Sequence, residues 1–510
     1  MNNDYKVSLK NKINYLFSKI LSLNFKLLKK SENCSSCFFI NDVFDFYISS
    51  HAQSFLKSFA YGCIDSKGMC LNARCIIEGL ALKTMNENND MPENALKLLK
   101  YQDYLIEMKQ YNKFSEILPE IFTIKDMNIN FETSKNMYTK ILGEKFSVKK
   151  IDKILKSKIP FLCNPNLNYF EIIEKYLGEE YCSYYSIFST LIHPNCNLKV
   201  NQQFLLTAFI WIIDMLDKKY LMLNCDEELF LNNYLKITIA VDTAQAYLKS
   251  ISTVCDSLKK VKNTFERSYG ENFLSDTMGG ISILLYEMTL DKLMGFPEQM
   301  KCKFKPLIEQ IASFYYVFTS DDWLNRYKLS KLHFEIMIKK ANMEEFDLSD
   351  AYEIYKTLCQ NGVSKEKFEK EFIKTTGYTI NEKGDLLTIT SLVNNVIELI
   401  KQDEYGLTFK TTSRIDYVES QMLSHSNGYM WFANTGAWGD VNNIFQEIFI
   451  ILANIIEMVK LTYLGDYVTN KNNTLKKIIK VLNQARKALE QGAKEISEFN
   501  KMPQVNLEYQ

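Results

Sequence analysis

Residues 67–85 read KGMCLNARCIIEGLALKTM. Ala73, Ile76, Ile77 and Leu80 follow the i, i+3, i+4, i+7 spacing that gathers apolar side chains on one face of an α-helix. Arg74 and Glu78 interrupt the apolar run four positions apart, so they share another face of the same helix. The same periodicity returns in PENALKLLKYQDYLIEMKQY (92–111), VNQQFLLTAFIWIIDMLDKKYL (200–221) and NNIFQEIFIILANIIEMVKL (442–461). With eight prolines and 18 glycines in 510 residues, little breaks such helices. The pattern predicts an all-α fold, a two-lobed multi-helix bundle. A short hairpin in GYTINEKGDLLTI (377–389) is the one strand candidate, and Thr474 is a candidate N-cap for the last helix.

Apolar residues make up 46% of the chain and charged residues 24%, the balance of a soluble globular protein. Lysine-, asparagine- and isoleucine-rich composition points to an AT-rich bacterial genome. The formal net charge of zero excludes a global field that pulls the chain onto nucleic acid. Twelve cysteines without regular spacing read as reduced thiols of a cytoplasmic protein. The best apolar runs, FLLTAFIWII and IFIILANII, are too short for a membrane span and are closed by Asp214 and Glu457.

Glycine and polar residues concentrate in ERSYGENFLSDTMGG (266–280), which predicts a boundary there. Three units follow: a lysine-rich amphipathic helix over 1–31, an N-terminal helical domain over 32–266 and a C-terminal helical domain over 281–510. Tyr185, His193 and Asn195 share a Y-x7-H-x-N pattern with Tyr417, His425 and Asn427, so a degenerate duplication is one reading and coincidence the other. Residues 5–31 hold seven lysines and no acid. Such a helix either lies on a membrane surface or phosphate backbone, or docks its apolar stripe on the bundle; the second reading is preferred. Being terminal, it is expected to be removable without unfolding the rest.

The strongest polar constellation pairs two helices. Arg74 and Glu78 share one face, and in YYSIFSTLIHPN (184–195) Tyr185, Ser189 and His193 share another. Polar groups aligned on apolar helices need partners, because an unpaired buried polar group costs about 1–3 kcal/mol. The two stripes are therefore expected to meet. The combination R-x3-E on one helix and S-x3-H-P on a later one resembles a bacterial helical family of uncharacterised function. That family is similar in style to the HEPN helical domains, many of which are metal-independent ribonucleases of defence and toxin systems. The resemblance covers roughly 50–225. HEPN domains carry arginine and histidine on one helix, whereas Arg74 and His193 fall on separate helices. RYKLSKLH supplies a formal R-x6-H match at Arg326 and His333.

Metal-independent RNA cleavage needs a base for the 2′-hydroxyl and a cation for the phosphorane, roles that histidine and arginine fill. Arg74, Glu78, Ser189, His193, Arg326 and His333 are the candidate catalytic residues. The competing reading is a buried network that fixes helix register. Tyr429, Trp431 and Trp438, in GYMWFANTGAWGD (428–440), are candidate binding residues that could stack on bases or fill a partner's groove. Cys34 and Cys37 lack the second pair a zinc site needs, and Cys63, Cys70 and Cys75 read as free thiols. No cofactor or metal is expected. The sequence thus predicts a candidate ribonuclease of bacterial antiviral defence or stress, with RNA as its partner. The alternatives are a non-catalytic scaffold or sensor binding a protein partner or forming a homo-oligomer, and, ranked lower, a peripheral membrane protein.

Overall fold

A computed structural model describes residues 11–23, 40–60, 67–88, 168–192, 202–220, 241–269, 273–293, 297–318, 322–359, 364–373, 389–398, 442–463 and 473–501, two short strands and a few single positions such as Tyr417. Within these the protein is all-α. Helix α1 covers 11–23. It is followed by α2 (Ile40–Ala60), α3 (Lys67–Glu87), α4 (Tyr169–Leu177), α5 (Glu179–Ile192), α6 (Gln202–Tyr220), α7 (Val241–Tyr269), α8 (Phe273–Leu293) and α9 (Pro297–Phe318). Then come α10 (Trp323–Ala341), α11 (Ser349–Leu358), α12 (Lys365–Phe372), α13 (Ile389–Glu398), α14 (Asn442–Tyr463) and α15 (Asn473–Lys501). The last helix opens at Asn473, so the expected cap Thr474 lies inside it. The expected hairpin is present as antiparallel β1 (Thr379–Ile380) and β2 (Leu386–Leu387), with Thr379 opposite Leu387 and Ile380 opposite Leu386. No helix among the described residues is long and apolar enough to cross a membrane.

Two large hydrophobic cores organise these helices. The first gathers α1 to α6 around Phe55, Ile77, Phe188, Phe209 and Ile212. The second gathers α7, α8, α9, α13, α14 and α15 around Leu258, Leu285, Ile308, Phe449 and Leu489. A third, small core holds α10 to α12 through Leu329, Tyr355, Phe368 and Phe372. Cys302 of α9 belongs to the first core, so α9 serves both large cores.

Helix α7 lies across the division expected at 266–280. Its Ile251, Val254, Leu258 and Val261 are buried in the second core, packed on α8 and α15, and not with the helices of the unit expected over 32–266. Gly279 and Gly280, two of the glycines that suggest a boundary, lie within α8. A Cβ at Gly279 would stand 3.0 Å from Lys262 Cδ, so this glycine marks a close helix contact.

The lysine-rich N-terminal helix docks on the bundle. Ile13, Leu16 and Ile20 are buried in the first core, and Lys12 reaches Asp214 at 2.6 Å and Asp217 at 2.7 Å on α6. The apolar stripe therefore faces protein. Its burial opposes the expectation that residues 1–31 are dispensable, because deleting this helix uncovers α6.

Candidate polar site between helices α3 and α5

Local chemistry sets the angle at which α5 meets α3. Asn168 caps α4 in a reciprocal capping box with Glu171, at 2.7 and 3.1 Å. Gly178 ends α4 with φ of 108°, a left-handed backbone that glycine adopts without strain, and α5 starts at the next residue. The buried Lys67 amine at the start of α3 then donates to the Leu191 carbonyl in the last turn of α5, at 3.2 Å. A cation is favoured at a helix C-terminus, so this contact fixes the register of the two helices. On the other side, Gly79 lets α2 approach α3, since a Cβ there would stand 2.6 Å from Ile48 Cγ1.

Arg74, Glu78, Tyr185 and Ser189 meet in the resulting interior. Arg74 is 3% exposed and Glu78 0%, with Nε and Oε1 3.4 Å apart. The Tyr185 hydroxyl donates to the same Glu78 Oε1 at 3.1 Å. Burial alone would lower the Arg74 pKa, but Glu78 foremost, together with Tyr185, Cys75 and Tyr47, outweighs it and holds the guanidinium above its ordinary value. Burial, reinforced by Glu78, pushes the Tyr185 phenol well above its usual range. Ser189 lies close enough to oppose that rise, while its buried Oγ makes no hydrogen bond of regular geometry among the described residues. Tyr47 and Cys75 complete the surroundings, and burial pushes the Cys75 thiol up to about 12. This thiol stays protonated at neutral pH and is no nucleophile. Cys70 and Cys75 are buried thiols outside any disulfide, as expected; Cys34, Cys37 and Cys63 lie outside the described residues.

The second candidate pair engages separate neighbours. Arg326 donates to the Tyr316 carbonyl at 2.9 Å and stacks over the Tyr316 ring at 4.2 Å, which ties α10 to the end of α9. His333 is buried at 2% exposure, edge-on to Phe372 at 5.1 Å. The open groove of about 460 Å³ between α10 and α11 has both signs of charge, from Lys328, Lys331, Glu335, Asp350 and Glu353, and neither Arg326 nor His333 lines it. His193, His425 and the aromatic loop with Tyr429, Trp431 and Trp438 lie outside the described residues.

A larger polar network, absent from the sequence reading, joins α2 and α3 to α8 and α9. Asn72 sits between His51 and Ser54, with Nδ1 of His51 2.9 Å from its Oδ1 and its own amide donating to Ser54 at 2.9 Å. Lys303 donates to Ser54 at 2.8 Å and to Asp291 at 2.6 Å. Lys57 reaches Asp291 at 2.5 Å. Burial pushes the Lys57 amine down to about 8 and His51 down to about 4. Asp291 would rise through burial, but Lys303 and Lys57 together hold it below the ordinary carboxylate range. The sequence signal for this network is faint, because the contacts that join α2 to α8 and α9 link residues more than 230 positions apart. No group of three potential metal ligands occurs among the described residues. No protein-family model, no curated protein and no solved structure matches the chain.

Proposed function

We propose that the protein is a non-catalytic helical interaction protein, a scaffold or sensor for a protein partner, in which the Arg74–Glu78–Tyr185 cluster locks helix register. One observation carries this reading: Arg74 and Glu78 are sealed at 3% and 0% exposure and turned on each other, so neither faces a substrate. The pair lies within α3, and the Tyr185 hydroxyl of α5 donates to its carboxylate, so the cluster sets the relation of one helix to the other. The aromatic loop of Tyr429, Trp431 and Trp438 is the candidate contact with a partner or a second copy of the chain. Within the same reading the chain is a degenerate duplication, supported by Tyr185 and Tyr417 each donating to a glutamate at 3.1 Å.

The second reading is a metal-independent ribonuclease of bacterial defence. It is favoured by Glu78 Oε2, which is buried without a hydrogen-bond partner among the described residues, and by His193, four positions after Ser189. Both readings place the protein in the cytoplasm. The deciding experiment incubates the pure protein with mixed RNA substrates in chelator, beside His193→Ala and His333→Ala. The scaffold reading expects no cleavage by any of the three. Cleavage by the parent that falls by about 10²–10⁴-fold in a folded histidine variant would replace it with the ribonuclease reading.

A further inference from the structure

We propose that Lys305, Glu309 and Tyr417 form a second copy of the Arg74–Glu78–Tyr185 site, and that the two copies lie side by side where the α2–α3 and α8–α9 hairpins pack on each other. The inference deepens the duplication reading and rests on it.

The two sets agree in chemistry, order and spacing. Each begins with a cation one helical turn before a glutamate, R-x3-E in α3 and K-x3-E in α9. In each, the glutamate accepts from a tyrosine hydroxyl at 3.1 Å, and the tyrosine lies 107 residues away in the first set and 108 in the second. Glu309 is buried like Glu78, Tyr417 is buried where Tyr185 is half-buried, and Lys305 is 7% exposed. The preceding helices agree too: α2 and α8 each have 21 residues, and α3 and α9 have 21 and 22.

The two helix pairs also meet near related positions, as they do across a two-fold contact between similar units. Asn72 stands two residues before Arg74, and Lys303 two before Lys305; both donate to the same Ser54 hydroxyl, at 2.9 and 2.8 Å. The final turns of α2 and α8 meet through Lys57 and Asp291 at 2.5 Å. Burial holds the Lys305 amine below its ordinary range, opposed by Glu309, and the Arg74 charge adds to the lowering, so the two cations feel each other. The contact resembles a dimer interface folded within one chain.

Arginine and lysine can occupy the same place because Arg74 Nε stands 3.4 Å from Glu78 Oε1, a separation at which charge counts for more than a short directed hydrogen bond. A point charge suffices for such a contact.

The test uses the full chain and thermal unfolding. Tyr185→Phe with Glu78→Gln, and Tyr417→Phe with Glu309→Gln, form two double-mutant cycles. A second copy predicts non-additive losses in both cycles, with each phenol removal lowering Tm by about 2–4 °C. If Glu309→Gln does not fold, Glu309→Asp closes the cycle. Additive losses in the Tyr417–Glu309 cycle would overturn the second site. A separate arm tests equivalence: Arg74→Lys should retain the parent's Tm within about 2 °C, while Arg74→Met and Lys305→Met should both lower it by more than that. If both cycles couple but Arg74→Lys falls as far as Arg74→Met, the second site is real and the duplication reading fails.

Discussion

Lys57 and Asp291 are 234 residues apart in sequence and 2.5 Å apart in the fold, both almost wholly buried. Their contact joins a helix of the first core to a helix of the second, and Lys303 approaches the same carboxylate at 2.6 Å. Asp291 is therefore an anion shared by two lysines. Asp291→Asn leaves both cations short of a counter-charge, whereas Lys57→Met leaves Asp291 still paired with Lys303. Removing one partner of a buried ion pair costs about 3–5 kcal/mol. Urea unfolding should show a loss of that size for Asp291→Asn and a smaller one for Lys57→Met. Equal losses would show that Lys303 does not share the charge.

His51 gives the fold an acid-sensitive limb. It faces Asn72, with Lys303, Asp291 and Arg74 nearby, and its folded pKa is about 4 against an ordinary value of 6.5. The unfolded chain takes up a proton as pH falls through 6.5, and the folded chain does so only near 4. Stability from this group is thus fully present above 6.5 and is lost as pH falls from there toward 4, by about 3 kcal/mol. His51→Asn, whose amide can replace the Nδ1 contact to Asn72, should flatten the dependence of Tm on pH in this window. An unchanged acid limb would assign it to other groups.

Gly79 should tolerate no side chain. A Cβ would stand 2.6 Å from Ile48 Cγ1 and 3.0 Å from Tyr47 Cδ1, on an α2–α3 contact with no slack. Gly79→Ala gains helix propensity of about 1 kcal/mol, but overpacking a tight core costs about 1–3 kcal/mol. The net change in chemical denaturation is expected to be destabilising. A stabilised variant would show that the helices separate freely.

Truncation of residues 1–31 should destabilise the chain. Leu16 at 1% and Ile20 at 0% exposure lie in the first core, and a large-to-small change at each position costs about 2–5 kcal/mol. Leu16→Ala and Ile20→Ala should each lower Tm, and the truncated chain should bind a hydrophobic dye more strongly than the parent. A truncated chain with the parent's Tm would restore the view of α1 as an appendage.

Sequence periodicity alone determined the all-α class, because the 3.6-residue repeat of apolar side chains over residues 67–85 or 442–461 is local and few glycines or prolines interrupt it. The 377–389 hairpin was legible for the same reason: its turn residues lie between the strands they join. The meeting of Arg74, Glu78, Tyr185 and Ser189 was also legible, since buried polar groups at four-residue spacing on apolar helices require partners and the chain offers few. Tertiary structure decided the rest. Helix α7 joins the second core because its apolar face fits α8 and α15, a match that no local pattern encodes. The Lys57–Asp291–Lys303 cluster, and the likeness of Lys305 and Glu309 to Arg74 and Glu78, emerge only when helices far apart in sequence pack together. Such pairings depend on which apolar faces bury each other, and that choice is made by the whole fold.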